Sequence, residues 1–343
     1  MSNLHDEILA MGDRAVTAAR ALAGLSARRK KAVLQAMADE LEARSAAVKE
    51  ANAADMERAK AAGLPPPMLD RLQLTDSRIQ EMARGLRDVA GLRDPVGAKL
   101  SRWIRPNGLV IVKVRVPIGV IAIVYESRPN VTADAAGLCI KTSNAVILRG
   151  GSEALASNSA IANALQAGGQ RKGLPPDAIQ LVPNADRGAV TELVRMEGLV
   201  DLVIPRGGEG LIRSVMEHAR VPVIKHYKGV CHTYVDKDAD LEMALNICEN
   251  AKCQRPGTCN AMESALVHSA VATQFLPMLA DRLGKLGVEF RADEAARAIA
   301  PSMKPATEAD WSTEHLALIL SVKVVGSLDE AIELAKRGRG SLC

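Results

Sequence analysis

The residue best suited to chemistry is Cys259, which lies in the stretch 254–261, Gln-Arg-Pro-Gly-Thr-Cys-Asn-Ala. A Pro-Gly-Thr turn precedes this cysteine, and the apolar run 265–267 follows it. A turn anchored to a strand can hold a thiol at a fixed angle, and loops of this kind commonly carry catalytic side chains. We therefore interpret Cys259 as a candidate nucleophile.

The other cysteines compete for this role. Cys139, Cys231 and Cys248 fall inside apolar strand or helix patterns, which favours positions in the core. Cys253 lies close to Cys259 and could be exposed, so spacing alone leaves the choice between these two open. No CxxC pair occurs, and no histidine spacing indicates a metal site, so we predict free thiols and no bound metal. Free thiols in a chain of this size indicate a reducing compartment, and we predict a cytoplasmic location.

Two glycine-rich turns follow predicted strands, and they could bind a dinucleotide. They read Arg149-Gly150-Gly151-Ser152 and Arg206-Gly207-Gly208. Glycine lets a phosphate approach the backbone, and the helix that follows offers free N–H groups. Neither turn is a GxGxxG fingerprint, so each is equally well explained as a tight connection. Arg149 could hold the 2′-phosphate of NADP with Ser152 as a further donor, or it could be a surface arginine that covers apolar side chains.

A third polar cluster follows the strand that ends near residue 125. Glu126, Arg128 and Asn130 lie within five residues, at the edge of a sheet where clefts form. We take them as candidate substrate-binding residues, together with Arg255 beside Cys259. The alternative is a capped helix start with Asn130 as the N-cap.

Composition limits the possible partners. The chain has 343 residues, enough for two domains, with 44 Lys and Arg against 40 Asp and Glu. Only 2% of the residues are aromatic, and the basic residues are not gathered with them, so a nucleic-acid partner is not predicted. No stretch approaches the roughly 18 apolar residues of a membrane span.

The pattern of elements predicts an α/β protein with two doubly wound domains. Helical spacing dominates up to about residue 90, and an alternating ribbon follows at about 104–117. Short apolar runs then alternate with helical stretches, which is typical of parallel sheets covered on both faces. The predicted strands of the first series are 118–124, 145–148, 179–182, 200–204 and 221–224. A second series follows: strands 231–235, 264–267 and 318–325, with helices near 241–248, 271–286 and 328–336. We place the domains at residues 1–227 and 228–343.

Several motifs together resemble the γ-glutamyl phosphate reductases, or glutamate-5-semialdehyde dehydrogenases, of the aldehyde dehydrogenase superfamily. They are 116–121, 125–132, 141–154, 204–208 and 306–314, and the resemblance extends to about Leu334. It implies an aldehyde dehydrogenase-like fold, with residues 1–227 binding NADP, residues 228–343 catalytic and the ribbon an oligomerisation arm. The implied reaction is the NADPH-dependent reduction of L-glutamyl 5-phosphate to L-glutamate 5-semialdehyde in proline biosynthesis, through a thioacyl bond to Cys259.

The resemblance also assigns roles within the site. Cys259 matches the family's nucleophile, and Glu314 matches the glutamate that holds the nicotinamide ribose. Arg149 stands where hydrolytic relatives usually carry a lysine near the adenosine ribose, and Ser152 stands where relatives that prefer NAD often carry a glutamate. Both changes suit NADPH. The stretch 226–230 lacks the glutamate that activates water in hydrolytic relatives. This favours the phosphorylating reaction over the alternative, a hydrolytic NAD(P)-dependent aldehyde dehydrogenase.

The end of the sequence departs from the family, which continues for several tens of residues. We therefore expect the catalytic domain to be incomplete, so an inactive fragment or half of a split enzyme is a second alternative. The resemblance implies a homo-oligomer, although that assembly uses a C-terminal strand which this sequence lacks. Glutamate 5-kinase is a further implied partner.

Overall fold

The computed structural model describes residues 4–126, 128–225 and 229–338. The chain divides into two compact units between Lys225 and His226. The first unit contains five N-terminal helices, a two-stranded ribbon and a parallel sheet, and the second contains another parallel sheet.

Five helices open the first unit, as the helical spacing predicts. They are α1 (Leu4–Ala23), α2 (Ala27–Ala43), α3 (Ser45–Ala61), α4 (Pro66–Leu72) and α5 (Asp76–Gly91). Ser26 and Thr75 act as N-caps, because their hydroxyls accept hydrogen bonds from the third backbone N–H of α2 and α5. Apolar side chains of α1, α2, α3 and α5 pack into one core with the strands of the sheet, whereas Leu69 and Leu72 of α4 belong to a separate small cluster.

The ribbon consists of β1 (Lys99–Ile104) and β2 (Val110–Val114), which pair in an antiparallel manner. The arm predicted at about 104–117 includes the second strand and misses the first, because Ser101-Arg102 interrupts its apolar pattern. Every residue of the ribbon is exposed except Ile111, which is half-buried. Apolar side chains such as Trp103, 43% exposed, therefore face outward on this ribbon.

The first sheet has four parallel strands in the order β5-β4-β3-β6. β3 and β4 are buried along their whole length, which confirms the prediction of a parallel sheet covered on both faces. The prediction of a strand at 221–224 is wrong, because a single isolated bridge from Val223 to Val203 is the only pairing that the described residues make there. Pro222 has no N–H to donate, so a ladder cannot extend there. The elements are β3 (Val120–Tyr125), α6 (Asn130–Lys141), β4 (Ala145–Arg149), α7 (Leu155–Gln170), β5 (Ile179–Leu181), α8 (Gly188–Val194), β6 (Leu202–Arg206) and α9 (Glu209–His218).

The second unit has a five-stranded parallel sheet in the order β10-β9-β11-β8-β7, with its own apolar core. The predicted strands and helices of this unit are confirmed, but β9, α12 and β10 were missed because two to six residues give no clear periodicity. The elements are β7 (Cys231–Val235), α10 (Leu241–Cys253), β8 (Met262–His268), α11 (Ser269–Gly284), β9 (Glu289–Ala292), α12 (Glu294–Ile299), β10 (Lys304–Pro305), β11 (Ile319–Val325) and α13 (Leu328–Gly338).

Candidate active site

Cys259 lies in the turn that joins the end of α10 to the start of β8. The turn closes on itself, because the Thr258 N–H and hydroxyl both donate to the Arg255 carbonyl, at 3.2 and 2.9 Å. The Ala261 N–H then donates to the Thr258 carbonyl at 3.0 Å. Cys259 and Arg255 are both exposed. A closed turn just before the buried strand β8 thus places Cys259 at the surface.

The surroundings of the other described cysteines separate them from Cys259. Cys139 and Cys248 are buried, and burial raises the pKa of each thiol to about 12. Burial also raises the pKa of Cys253, with the Glu249 carboxylate adding to the effect. All three thiols are therefore poor nucleophiles at neutral pH. Cys139, Cys248, Cys253 and Cys259 are free thiols, and Cys343 lies outside the described residues.

Cys231 is half-buried, and its Sγ lies 3.6 Å from the Cys259 carbonyl oxygen. The prediction that Cys231 belongs to the core is therefore wrong, because it stands where β7 begins, beside the Cys259 turn. Strand pairing explains this position, since Cys231 is opposite Met262 at the start of β8.

The Glu314 carboxylate lies in the same neighbourhood as Cys259. A Cβ added to Gly229 would stand 3.1 Å from the Cys259 carbonyl oxygen and 3.6 Å from a Glu314 carboxylate oxygen. Both residues therefore flank the same glycine, and a Cβ there would crowd the Cys259 carbonyl oxygen and contact the Glu314 carboxylate. The structure thus brings together two residues that are 55 positions apart in the sequence, as the numbering shows.

A buried ion pair brackets the Cys259 turn, and sequence reasoning missed it. Lys252 Nζ lies 2.8 Å from Glu263 Oε2, and their side chains are 0% and 1% exposed. Lys252 belongs to the last turn of α10 and Glu263 to the start of β8. Glu263 Oε1 accepts a hydrogen bond of 3.0 Å from the Leu316 N–H. The one signal in the sequence is a glutamate placed just before the apolar run 265–267.

A second buried carboxylate holds the segment that leads to Glu314. Asp310 accepts hydrogen bonds from the Thr307 N–H and hydroxyl, both at 2.8 Å, and from Arg291 Nη1 at 2.7 Å. Burial alone would raise the pKa of Asp310, but these donors outweigh it and hold the pKa at about 2. Burial lowers the pKa of His315, so its ring is neutral at pH 7 and binds the Ser321 hydroxyl at 3.1 Å.

In the first unit, Arg149 is buried at the carboxyl end of β4. Its Nη1 donates to the Gly150 carbonyl at 3.0 Å, and its Nη2 donates to the carbonyls of Ala185 and Asp186 at 3.1 and 3.3 Å. The interpretation of Arg149 as a surface side chain is therefore wrong. Burial lowers the pKa of Arg149, and its Nε has no hydrogen-bond partner in the described chain. Ser152 is exposed next to it.

A second unsatisfied donor lies at the same turn. Asn158 Nδ2 is buried without a partner among the described residues, and it occupies the space that a Cβ on Gly150 would fill. The side-chain amide oxygen of Asn158, Oδ1, accepts a hydrogen bond of 3.1 Å from the Thr132 hydroxyl. That hydroxyl also lies 2.7 Å from the Tyr125 hydroxyl. Gly150 is thus required by close packing, and two donors beside it remain available.

The N-terminus of α7, which follows this turn, already holds a carboxylate. Asp55 on α3 is fully buried and accepts from the Ser157 N–H at 2.7 Å, the Ser157 hydroxyl at 2.6 Å and the Ala156 N–H at 3.4 Å. The partial positive charge of this helix end is therefore compensated within the protein.

The second glycine-rich turn also holds a carboxylate. The Gly208 N–H donates to Glu126 Oε2 at 2.8 Å, and a Cβ on Gly207 would stand 2.6 Å from that oxygen. Arg206, Gly207 and Gly208 are all exposed. The start of α9 can thus bind an anion, and Glu126, predicted to bind substrate, lies at the turn predicted to bind the cofactor.

The remaining predicted residues lie close to Glu126 along the chain. Arg128 is half-buried, and Asn130 is exposed with its Nδ2 donating to Asp134 at 3.1 Å. Asn130 is the first residue of α6 and not its N-cap, so that alternative is wrong. The stretch 226–228, predicted to lack a catalytic base, lies outside the described residues.

The described residues contain neither a candidate metal site nor a candidate membrane span. Within 4–126, 128–225 and 229–338, no group of three or more His, Cys, Asp or Glu side chains is arranged to hold a metal ion. None of the described helices has the length and apolar character needed to cross a membrane.

Comparisons with known proteins extend these observations. A model of the aldehyde dehydrogenase family matches residues 5–311. The γ-glutamyl phosphate reductase of Moorella thermoacetica is 54% identical over 331 residues, which cover 96% of this chain and 79% of that relative. The crystal structure of γ-glutamyl phosphate reductase from Thermotoga maritima has a TM-score of 0.90 at 44% identity, covering 97% of this chain and 80% of that chain. A glyceraldehyde-3-phosphate dehydrogenase from Methanocaldococcus jannaschii, crystallised with NADP, shares the fold at a TM-score of 0.64 and 16% identity, covering 96% and 78%.

Proposed function

The chain belongs to the aldehyde dehydrogenase family, in its γ-glutamyl phosphate reductase branch, and we propose that it reduces L-glutamyl 5-phosphate to L-glutamate 5-semialdehyde with NADPH. The membership itself confirms the predicted family and the aldehyde dehydrogenase-like fold. One observation carries the proposal for the reaction centre: the exposed Cys259 turn and the Glu314 carboxylate flank the same glycine, Gly229. The product places the reaction in proline biosynthesis.

Cys259 acts as the nucleophile. Its thiolate attacks the acyl carbon of the substrate, a C–S bond forms, and the bond from that carbon to the phosphate oxygen breaks. The negative oxygen of the tetrahedral intermediate is stabilised by the Cys259 N–H and a second donor, each contributing about 3–4 kcal/mol in well-studied hydrolases. The positive charge of the exposed Arg255, four residues earlier, favours the approach of the anionic substrate.

The chain's own residues fit a dinucleotide cofactor. Gly150 and Gly207 keep both turns free of side chains, because a Cβ there would collide with Asn158 and Glu126 respectively. The buried donors Arg149 Nε and Asn158 Nδ2 lack partners in the described chain. Arg149, Gly150, Gly151, Ser152, Arg206, Gly207 and Gly208 would hold the adenosine and phosphate portion, with Glu314 on the nicotinamide ribose. When bound, NADPH supplies the hydride. Ser152 adds no negative charge beside Arg149, which supports NADPH over NADH.

Cys259 also completes the reaction. After reduction of the thioester carbon, the C–S bond breaks, the aldehyde leaves and the thiolate is restored. Phosphate is the leaving group of the first half-reaction, so no base is needed to activate water. Such a base would waste the acyl-enzyme by hydrolysis.

A phosphate-dependent assay tests this function. In the reverse direction, the chain should reduce NADP with glutamate 5-semialdehyde only when phosphate is present. We expect Cys259→Ala to abolish this turnover, while the matched control Cys253→Ala keeps it, because the Cys253 thiol lies outside the turn. Near-normal turnover by Cys259→Ala would refute the role of Cys259, and turnover without phosphate would support a hydrolytic aldehyde dehydrogenase instead.

Two associations belong to the same proposal. Exposed apolar side chains on the β1–β2 ribbon support its use as an oligomerisation arm, because apolar surface of this kind is normally covered. The association with glutamate 5-kinase stays a prediction from the resemblance.

A further inference from the structure

The Cys259 turn is closed by side chains at both of its ends. Lys252 precedes the turn and Glu263 follows it, and their buried ion pair of 2.8 Å joins the two flanks. The charged groups are 0% and 1% exposed, so water screens neither of them. The spacing between the last turn of α10 and the start of β8 is therefore fixed by this contact as well as by the backbone.

Glu263 also reaches the segment that carries Glu314. Its second oxygen accepts the Leu316 N–H at 3.0 Å. Leu316 has a φ of 51°, in the left-handed region that side chains other than glycine rarely adopt. A strained residue persists only where its surroundings hold it, and this hydrogen bond to a carboxylate is one such restraint. Glu314 lies two residues before Leu316, so the carboxylate of Glu263 is linked to the position of Glu314.

We propose that Glu263 is a positioning residue that sets Glu314 in register with the Cys259 turn, and that Lys252 holds the Glu263 carboxylate in place. The proposal rests on the proposed function, in which Glu314 binds the nicotinamide ribose and Cys259 carries the acyl group. The Glu263 carboxylate then determines the placement of both Glu314 and the Cys259 turn. Its two oxygens have separate tasks: Oε2 binds the cation that closes the turn, and Oε1 binds the Glu314 segment.

A purely structural role makes a different prediction. An ion pair buried this deeply is not needed for stability, because apolar residues of similar volume commonly replace such pairs at no loss. Packing alone would therefore be satisfied by any side chains that fill the space. Positioning of Glu314 requires an acceptor at residue 263, whatever fills the site of Lys252.

Two double variants separate these roles. Lys252→Met/Glu263→Gln removes the ion pair and keeps an amide oxygen that can accept from the Leu316 N–H. Lys252→Met/Glu263→Leu removes both, and neither variant leaves a buried charge alone. We expect the Leu variant to bind NADPH about tenfold more weakly than the Gln variant, because the loss of a charge-assisted hydrogen bond displaces a segment that must be accurately placed. The rate of Cys259 alkylation by iodoacetamide should be the same in both.

Hydrogen–deuterium exchange of the Leu316 amide gives a readout that does not depend on the cofactor. Faster exchange in the Leu variant than in the Gln variant, together with the difference in NADPH affinity, supports the proposal. Equal affinity and equal exchange in both variants overturn it. If the wild-type chain binds no NADPH, the proposed function fails, and the amide exchange alone then decides whether Glu263 holds the segment. Should a double variant fail to fold, Lys252→Leu/Glu263→Gln and Lys252→Leu/Glu263→Met repeat the comparison, again with no buried charge left alone.

Discussion

Removal of the Lys252 charge should destabilise the second unit strongly. Lys252→Met leaves the Glu263 carboxylate 1% exposed without its cation, and loss of one partner from a buried pair costs about 3–5 kcal/mol. Glu263→Leu should cost a similar amount, because it leaves the buried Lys252 ammonium without its anion. The double variant Lys252→Met/Glu263→Leu contains no buried charge, so we expect it to lie within about 2 kcal/mol of wild type. The two changes must therefore be strongly non-additive.

The assay uses the two tryptophans of the chain. Trp103 is on the ribbon of the first unit, and Trp311 is in the second unit with Lys323 Nζ 5.3 Å from its ring. In a Trp103→Phe background, urea denaturation followed by fluorescence therefore reports unfolding of the second unit. Lys285→Met is the matched control, because its ion pair with Asp281 is exposed, and such pairs contribute about 0–1 kcal/mol.

Two outcomes would refute this reasoning about the buried pair. The first is a Lys252→Met variant no less stable than Lys285→Met. The second is a double variant whose loss of unfolding free energy equals the sum of the two single losses. Either result would mean that Lys252 and Glu263 do not depend on each other for burial.

Two further predictions concern the same unit. Gly229→Ala brings a methyl group to 3.1 Å from the Cys259 carbonyl oxygen, so kcat should fall roughly threefold to tenfold, and Gly229→Val more. The control Gly284→Ala, which meets nothing within 4 Å, should leave kcat unchanged; an unchanged kcat in Gly229→Val would contradict the prediction. The pKa of Asp310 is about 2 in the folded chain and 3.8 ordinarily, so its stabilisation of about 2 kcal/mol is complete above pH 4 and is lost as the pH falls toward 2. Asp310→Asn should lose that stability at pH 7 and depend less on pH between 4 and 2 in urea denaturation, and an unaltered pH dependence would count against it.

The alternation of short apolar runs with helical stretches predicted the α/β class and most elements, because each depends on periodicity within a few residues. Strand predictions failed where the local hydrophobic pattern and the actual strand pairing disagree. The run at 221–224 is apolar enough for a strand, but Pro222 restricts it to one bridge. β1 forms although Ser101-Arg102 breaks its pattern, because β2 supplies the partner.

The site shows the same division between local and distant causes. The turn around Cys259 made it a candidate nucleophile, while spacing alone left Cys253 as a second candidate. The environment of Arg149 could not be predicted from nearby residues, because carbonyls at Ala185 and Asp186, more than 30 residues away, determine where its guanidinium points. Glu126 likewise contacts Gly208, 82 residues later. Lys252 and Glu263 are 11 positions apart, and only their pairing makes the burial of both charges tolerable.

The cap on α7 makes the sheet of the first unit depend on a residue of helix α3. The carboxylate that neutralises this helix end comes from Asp55, about a hundred residues upstream of Ser157. A chain shortened to begin at β1 would keep every strand of the sheet but leave the first turn of α7 without its acceptor. The sheet with its glycine-rich turns is thus not a portable module, and any transplant to another scaffold has to carry α3 with it.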